Sequence, residues 1–179
     1  AEHVYHDDPT VGHPDVRTRL AGASYFFLGN GLIQAAVQHA PDGEGTPLGL
    51  LIMHPEHLGK KRDSLTMSSE HGLEPTVVRL AIGAGELAPL PATLQVSWMH
   101  DAVVPTVEAR WGGYGLAVIE RFFCSSAGMA RLAREVGIVN DGQATRRFTL
   151  RLGTSEALFE ETFTLDAQDS MRVWLVYDL

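Results

Sequence analysis

Apolar and polar residues alternate with a period of two along most of the chain, and this pattern predicts β-strands. In the segment "RRFTLRL" at 146–152, phenylalanine and leucine alternate with arginine and threonine. Such a strand has one buried and one solvated face. Segments of similar length and composition start at Thr76, Leu94, Pro105 and Gly115. The pattern therefore predicts an all-β fold of about ten short strands.

Three segments carry more specific predictions. "LGLLIMH" from Leu48 is apolar on both faces, which favours a central, fully covered strand. "EARWGGYGLAVIERFF" predicts a hairpin closed on its glycines, and "REVGIVNDGQATRRFTL" a second hairpin closed on Asn-Asp-Gly. "MARLAREVGIV" also fits helical spacing, but Gly137 and the adjoining turn residues favour a strand.

Turn residues separate the strands, and no fixed-period repeat or low-complexity linker interrupts the chain. We therefore predict an antiparallel two-sheet sandwich. Residues 1–22 are predicted to form an extended lead-in and residues 23–179 a single β-sandwich domain, with a long loop at 55–74. Because the chain stops directly on a strand-like segment, we expect the sandwich to be incomplete or truncated.

The formal charge of −8 argues against nucleic acid and anionic membranes as partners, since both require a basic surface. No apolar run has the length of a membrane span. The single cysteine, Cys124, rules out an internal disulfide and fits a reducing, cytoplasmic compartment, although a bacterial secreted protein could also lack disulfides. We expect no cofactor.

The sequence Gly29-Asn30-Gly31 lies between two short apolar runs. A dinucleotide site would need a third glycine and a following helix, and neither is present. Asn-Gly suits the type I′ turn of a hairpin, because both residues tolerate positive φ. We therefore interpret this segment as a hairpin turn.

Metal and nucleophile chemistry have little support. His54 and His57 flank a glutamate, but they lie in a proline-containing segment with no implied third ligand. We therefore predict no metal site. Cys124 follows a strand without a nearby base, so we interpret it as a buried, unreactive thiol.

Carboxylates and aromatic residues are the remaining candidates. Glu108 and Glu120 lie on the two strands of one predicted hairpin, as paired acids of a glycosidase would, but each adjoins an arginine partner typical of a solvated cross-strand ion pair. Trp174 is predicted to lie in the core. For Trp111 and Tyr114, beside a glycine-rich turn, sugar stacking and core packing both remain open.

The order of these motifs resembles the N-terminal β-supersandwich of inverting α-barrel glycosidases and disaccharide phosphorylases. The features that carry the resemblance are Gly29-Asn30-Gly31, Glu120-Arg121-Phe122 and Asn140 within the span from Tyr25 to Thr154. The resemblance implies a sandwich related to the galactose mutarotase fold, which packs on an (α/α)6 barrel, shapes one side of the substrate pocket and often supports dimerisation.

The resemblance leads to three functional hypotheses. The first is an accessory domain of a glycoside hydrolase or phosphorylase, with carbohydrate, a C-terminal (α/α)6 barrel and a second copy as partners. No catalytic residue can be carried over from the family, because the acid and base lie mainly in the barrel. The second is a carbohydrate-binding module that uses Trp111 and Tyr114. The third is a compact epimerase-like enzyme that uses His54, His71 or His100 with a glutamate.

Overall fold

A computed structural model describes residues 23–40, 46–53, 76–126, 128–153 and 159–178. Strands make up 65% of these residues, and none of them forms an α-helix. The predicted lead-in at 1–22 and loop at 55–74 lie outside this part of the chain. The described strands, in chain order, are β1 Ser24–Gly29, β2 Gln34–His39, β3 Leu48–Met53, β4 Val78–Ile82, β5 Gly85–Leu87, β6 Gln95–Trp98, β7 Thr106–Gly113, β8 Leu116–Cys124, β9 Arg131–Asn140, β10 Arg146–Leu152, β11 Phe159–Leu165 and β12 Ser170–Asp178.

All pairings between neighbouring strands are antiparallel, and hydrogen bonds divide the strands into three sheets. The largest has five strands in the order β12-β9-β8-β7-β6. The second has four strands, β11-β10-β4-β5, and the third has three, β1-β2-β3. The prediction of an all-β, antiparallel, sandwich-like fold is confirmed.

The core is one cluster to which all three sheets contribute apolar side chains. Strand β8 shows how the sequence pattern builds it, because every second residue from Leu116 to Cys124 is buried and the residues between them are only half-buried. Val37, Leu80 and Phe122, one from each sheet, are completely inaccessible to solvent. The period of two in the sequence therefore separates the core face from the outer face of the sheet.

Strands β7 and β8 form the predicted glycine-closed hairpin. Its turn residues, Tyr114 and Gly115, have φ angles of 54° and 75°, and positive φ at both positions is the signature of a type I′ turn. Gly112 is required near the end of β7, since a Cβ atom there would lie 2.6 Å from the carbonyl oxygen of Leu116.

The second predicted hairpin is wrong. Strand β9 pairs with β8 and β12, whereas β10 pairs with β4 and β11. The Asn-Asp-Gly segment at 140–142 therefore connects the five-stranded sheet to the four-stranded one. Turn residues predict a change of chain direction, but they do not specify with which strand the next strand pairs.

Two further predictions concern single strands. "RLAREVGIVN" forms β9, so the strand interpretation is confirmed and the helical one is wrong. The segment from Leu48 forms β3. Among the described strands, β3 lies at the edge of its sheet and not at its centre, while the central strand is β2. Strand β3 is nevertheless well buried, with Leu48 and Leu50 each 1% exposed, which explains its apolar composition.

Candidate functional site

A buried polar cluster lies between the sheets, formed by Trp111, Glu120, Phe122, Arg134 and Tyr177, and we call it the Glu120–Arg134 cluster. The Glu120 carboxylate accepts hydrogen bonds from Arg134 Nε and Nη2 at 2.9 and 2.6 Å and from Trp111 Nε1 at 2.8 Å. Arg134 Nη1 donates to the Tyr177 hydroxyl at 3.2 Å, and the guanidinium lies 4.9 Å from the centre of the Phe122 ring. The side chains of Glu120 and Arg134 are 0% and 1% exposed.

Strand pairing explains why these charges meet inside the protein. Glu120 on β8 and Arg134 on β9 both occupy positions that the alternation assigns to the core face. Arg134 Nη1 also donates to the carbonyl oxygen of Thr76 at 2.6 Å, and Thr76 Oγ1 accepts from the Leu50 backbone N–H of β3 at 2.8 Å. The cluster therefore joins the five-stranded sheet to the three-stranded one.

The electrostatics of Arg134 favour its charged form. Burial alone would lower the pKa of the guanidinium, but attraction to Glu120 and the hydrogen bonds that Arg134 donates to Tyr177 and Glu120 raise the pKa above its usual value. Because the buried charges are paired and their donors are bonded, the cluster holds sheets together and offers no accessible acid or base.

Glu108 lies on the opposite face of the same sheet from Glu120. In the β7–β8 register Glu108 faces Arg121, whereas Glu120 faces Ala109. The Glu108 carboxylate accepts from Arg110 Nε at 2.6 Å and from Arg121 Nε at 2.9 Å. Burial would raise the pKa of Glu108, but the two arginines outweigh it and lower the pKa below its usual range. The two carboxylates therefore cannot flank one glycosidic bond.

The predicted cross-strand ion pair on the outer face is thus confirmed for Glu108, although this residue is only 9% exposed, and it is wrong for Glu120. Arg121 continues the outer network, since its Nη1 donates to Glu135 at 3.2 Å. Arg172 lies 3.8 Å from the same carboxylate. The outer face of the five-stranded sheet therefore carries alternating charges across its strands.

The two predicted sugar-binding residues have different environments. Trp111 is 3% exposed and its indole N–H is bonded to Glu120, so it packs in the core. Tyr114 is 56% exposed at the tip of the β7–β8 hairpin, with its hydroxyl beside Gly85. The structure does not bring the two side chains together on one surface. Sugar contact by Tyr114 stays a prediction.

Trp174 lies on the outer face of the five-stranded sheet, so its predicted place in the core is wrong. The side chain is 52% exposed, and its ring meets Phe123 edge to face with 6.1 Å between the ring centres. Strand β12 has apolar residues on both faces, and the apolar run in the sequence therefore did not reveal which face is buried.

Asn30 of the Gly-Asn-Gly segment is a hydrogen-bonding centre. Its Nδ2 donates to the carbonyl oxygens of Ser125 and Met129 at 2.8 and 2.7 Å, which ties the β1–β2 turn to the β8–β9 loop. Its Oδ1 accepts from the backbone N–H groups of residues 32 and 33. The hairpin is confirmed, but the type I′ turn is wrong, because Gly31 is the residue with positive φ (85°) and Asn30 caps the loop with its side chain.

Asn140 has the same kind of role at the end of β9. The side chain is completely buried. Its Nδ2 lies within 3.1 Å of the carbonyl oxygens of Ala144, Leu165 and Asp166, and its Oδ1 accepts from the Gly142 N–H. These contacts join the β9–β10 connection to the end of β11.

The remaining candidates offer little chemistry. Burial raises the pKa of the Cys124 thiol, as expected for an unreactive cysteine. Among the described residues, none that lines the adjoining depression of about 190 Å³ is acidic or a histidine. His100 is exposed in the β6–β7 loop. His54, His57 and His71 lie outside the described residues. Within the described ranges, no three metal-ligating side chains are grouped, and no helix is long and apolar enough to cross a membrane.

Sequence reasoning missed Arg134 and Tyr177 as members of the buried cluster. The available signal was the alternation of β9, which assigns Arg134 to the same face as Leu132 and Val136. An arginine on an apolar strand face requires a buried partner, and Glu120 occupies the matching face of β8.

No family model, no curated protein and no solved structure matches this chain.

Proposed function

We propose that this chain is an accessory sandwich domain of a carbohydrate-active enzyme, a glycoside hydrolase or phosphorylase, and that it packs on a catalytic (α/α)6 barrel and shapes one side of the substrate pocket. The proposal starts from the resemblance carried by Gly29-Asn30-Gly31, Glu120-Arg121-Phe122 and Asn140. In each of these motifs, one side chain joins separate parts of the sandwich through hydrogen bonds: Asn30, Glu120 and Asn140. Such roles are those of a scaffold.

The pairing of the buried carboxylates with arginines is the observation that supports this proposal. The three carboxylates of the five-stranded sheet with 9% exposure or less are Glu108, Glu120 and Glu135, and each is bonded to at least one arginine. A general acid or base needs a carboxylate that the substrate can reach. These three carboxylates are buried and bonded to arginines, so they are suited to support and not to acid–base catalysis.

The gene that encodes this segment tests the proposal. We expect several hundred residues of paired helices next to it, and a polypeptide that ends directly after Leu179 would overturn the proposal. The complete gene product should cleave a glycoside, with water or with phosphate. Neither Glu108→Gln nor Glu135→Gln should abolish that activity, and loss of turnover in a variant that remains folded would contradict the scaffold role.

A carbohydrate-binding module is the second candidate, favoured by the exposed aromatic rings of Tyr114 and Trp174. Sugar rings stack on such surfaces through their C–H faces. A fluorescence titration with a panel of oligosaccharides would show saturable quenching that is lost in Tyr114→Ala or Trp174→Ala. No response to any sugar would exclude this candidate. The epimerase-like alternative is tested by a mutarotation assay on common aldoses, where a null result would remove it.

A further inference from the structure

Strand β12 leaves one edge of the five-stranded sheet open. Its residues 170–178 pair with β9 on one side, and in the part of the chain that the structure describes no strand pairs with the other side. The strand is nine residues long and contains no proline, glycine or lysine. A strand of this kind presents a row of backbone N–H and C=O groups that can pair with another strand.

The other described edge strands are shorter than β12. Strand β6, at the other end of the same sheet, has four residues, and β5 and β11, at the two ends of the four-stranded sheet, have three and seven. Strand β1 has six residues, and β11 places the charged Glu161 opposite Leu150 on the core-side face. The edge strand β3 has the backbone N–H of Leu50 bonded to the Thr76 hydroxyl. Proteins limit edge-to-edge association by such devices. At nine residues β12 is the longest of these edge strands, so it is the described edge best suited to a partner strand.

The side chains of β12 favour further burial. Met171, Val173, Leu175 and Tyr177 point toward the core and are only partly covered at its rim. On the outer face Val176, like Trp174, is 52% exposed. A strand added at this edge would cover the inner row and extend the outer face.

We propose that β12 pairs antiparallel with β12 of a second copy of this chain, across a two-fold axis at Leu175, so that the two five-stranded sheets become continuous. This register places Arg172 opposite Asp178 of the second copy, twice per dimer. It also places Trp174 opposite Val176 of the second copy on the same outer face. On the inner face Leu175 meets its own copy.

Charge complementarity selects this register. Arg172 and Asp178 are exposed, with 67% and 58% of their side-chain surfaces accessible. A two-fold axis one residue earlier, at Trp174, would place Arg172 opposite Val176, and an axis at Val173 would place it opposite Trp174. Opposite charges stabilise directly facing strand positions and like charges destabilise them. Asp178 already receives two hydrogen bonds from Arg131, and a carboxylate has acceptor sites for more.

The proposal does not depend on the enzymatic role of the domain, and charge exchange tests it. Sedimentation equilibrium of the complete polypeptide over a range of concentrations should show a dimer. Arg172→Asp alone and Asp178→Arg alone each place two like-charge pairs in the interface, and we expect each to raise the dimer dissociation constant about tenfold. Mixing these two variants should restore association, because each facing pair in the mixed dimer again has opposite charges.

Arg147→Asp is the matched control, since it makes the same charge change at an exposed position on β10, in another sheet. It should leave the dissociation constant unchanged. A monomer at every concentration would overturn the proposal and would indicate that another segment of the polypeptide covers β12. A dimer that is insensitive to both charge changes, or a mixture that associates no better than its components, would overturn it as well.

Discussion

Glu120→Gln removes the carboxylate from the Glu120–Arg134 cluster while keeping the shape of the side chain. The carboxylate accepts three hydrogen bonds, at 2.6, 2.8 and 2.9 Å, and the guanidinium that provides two of them is 1% exposed. A glutamine has one acceptor oxygen, and its amide N–H groups would face the donors of Arg134 or Trp111. An unpaired buried charge costs about 3–5 kcal/mol. That is a large fraction of a typical unfolding free energy of about 5–15 kcal/mol.

Urea unfolding followed by circular dichroism measures this change through linear extrapolation. The double variant Glu120→Gln, Arg134→Met removes the buried charge as well, and we expect it to be at least about 2 kcal/mol more stable than the single variant. Glu160→Gln is the control, because its ion pair with Arg151 is half-exposed and should contribute less than about 0.5 kcal/mol. A single variant that loses less than about 1 kcal/mol, or a double variant no more stable than the single one, would refute the reasoning.

Three further predictions concern single residues. Asn140→Ala removes the side-chain donor to the carbonyl oxygens of Ala144, Leu165 and Asp166 and should lower the unfolding free energy by about 1–3 kcal/mol in the same urea assay. The lowered pKa of Glu108 means that its ion pairs stabilise the fold above about pH 4.3 and lose that effect as the pH falls through the folded-state pKa. The difference in unfolding free energy between the wild type and Glu108→Gln should therefore shrink between pH 7 and pH 3. A constant difference would contradict this. Tyr114→Asn should keep or raise the melting temperature, because asparagine tolerates the φ of 54° better than tyrosine does, and a clear drop would show that the tyrosine ring contributes packing.

The scaffold interpretation gives three polar residues of the sequence a structural explanation. Asn30 and Asn140 hold loops through backbone carbonyl groups, and Glu120 holds the buried arginine. Polar residues on apolar strands are natural candidates for catalytic residues. A buried side chain whose polar atoms are all hydrogen-bonded cannot exchange protons with a substrate. The functional surface is therefore to be sought among exposed groups, such as Tyr114 at the hairpin tip and the open edge of β12.

Local patterns in the sequence determined the fold class and several elements of the fold. The alternation along β8 and β10 is a property of each strand alone, since successive side chains point to opposite faces. The β7–β8 hairpin was equally local, because two strands joined by a two-residue turn leave little choice of partner. The two-residue turn also fixes the register of this hairpin, which places Glu120 opposite Ala109. Because neighbouring residues point to opposite faces, the sequence contained the information that Glu108 and Glu120 lie on opposite faces of the sheet.

Tertiary structure decided which strands meet and which face of each strand is covered. The Asn140 turn resembles that of a hairpin, but β10 joins β4 and β11, because the pairing partner depends on segments far away in the sequence. Strand β12 has apolar residues on both faces, and only the packing of its other face against the core shows that Trp174 is exposed. Arg134 is tolerated in the core because a carboxylate from the neighbouring strand reaches it there. A sequence specifies the periodicity of each strand locally, whereas burial and partners arise from contacts between distant segments.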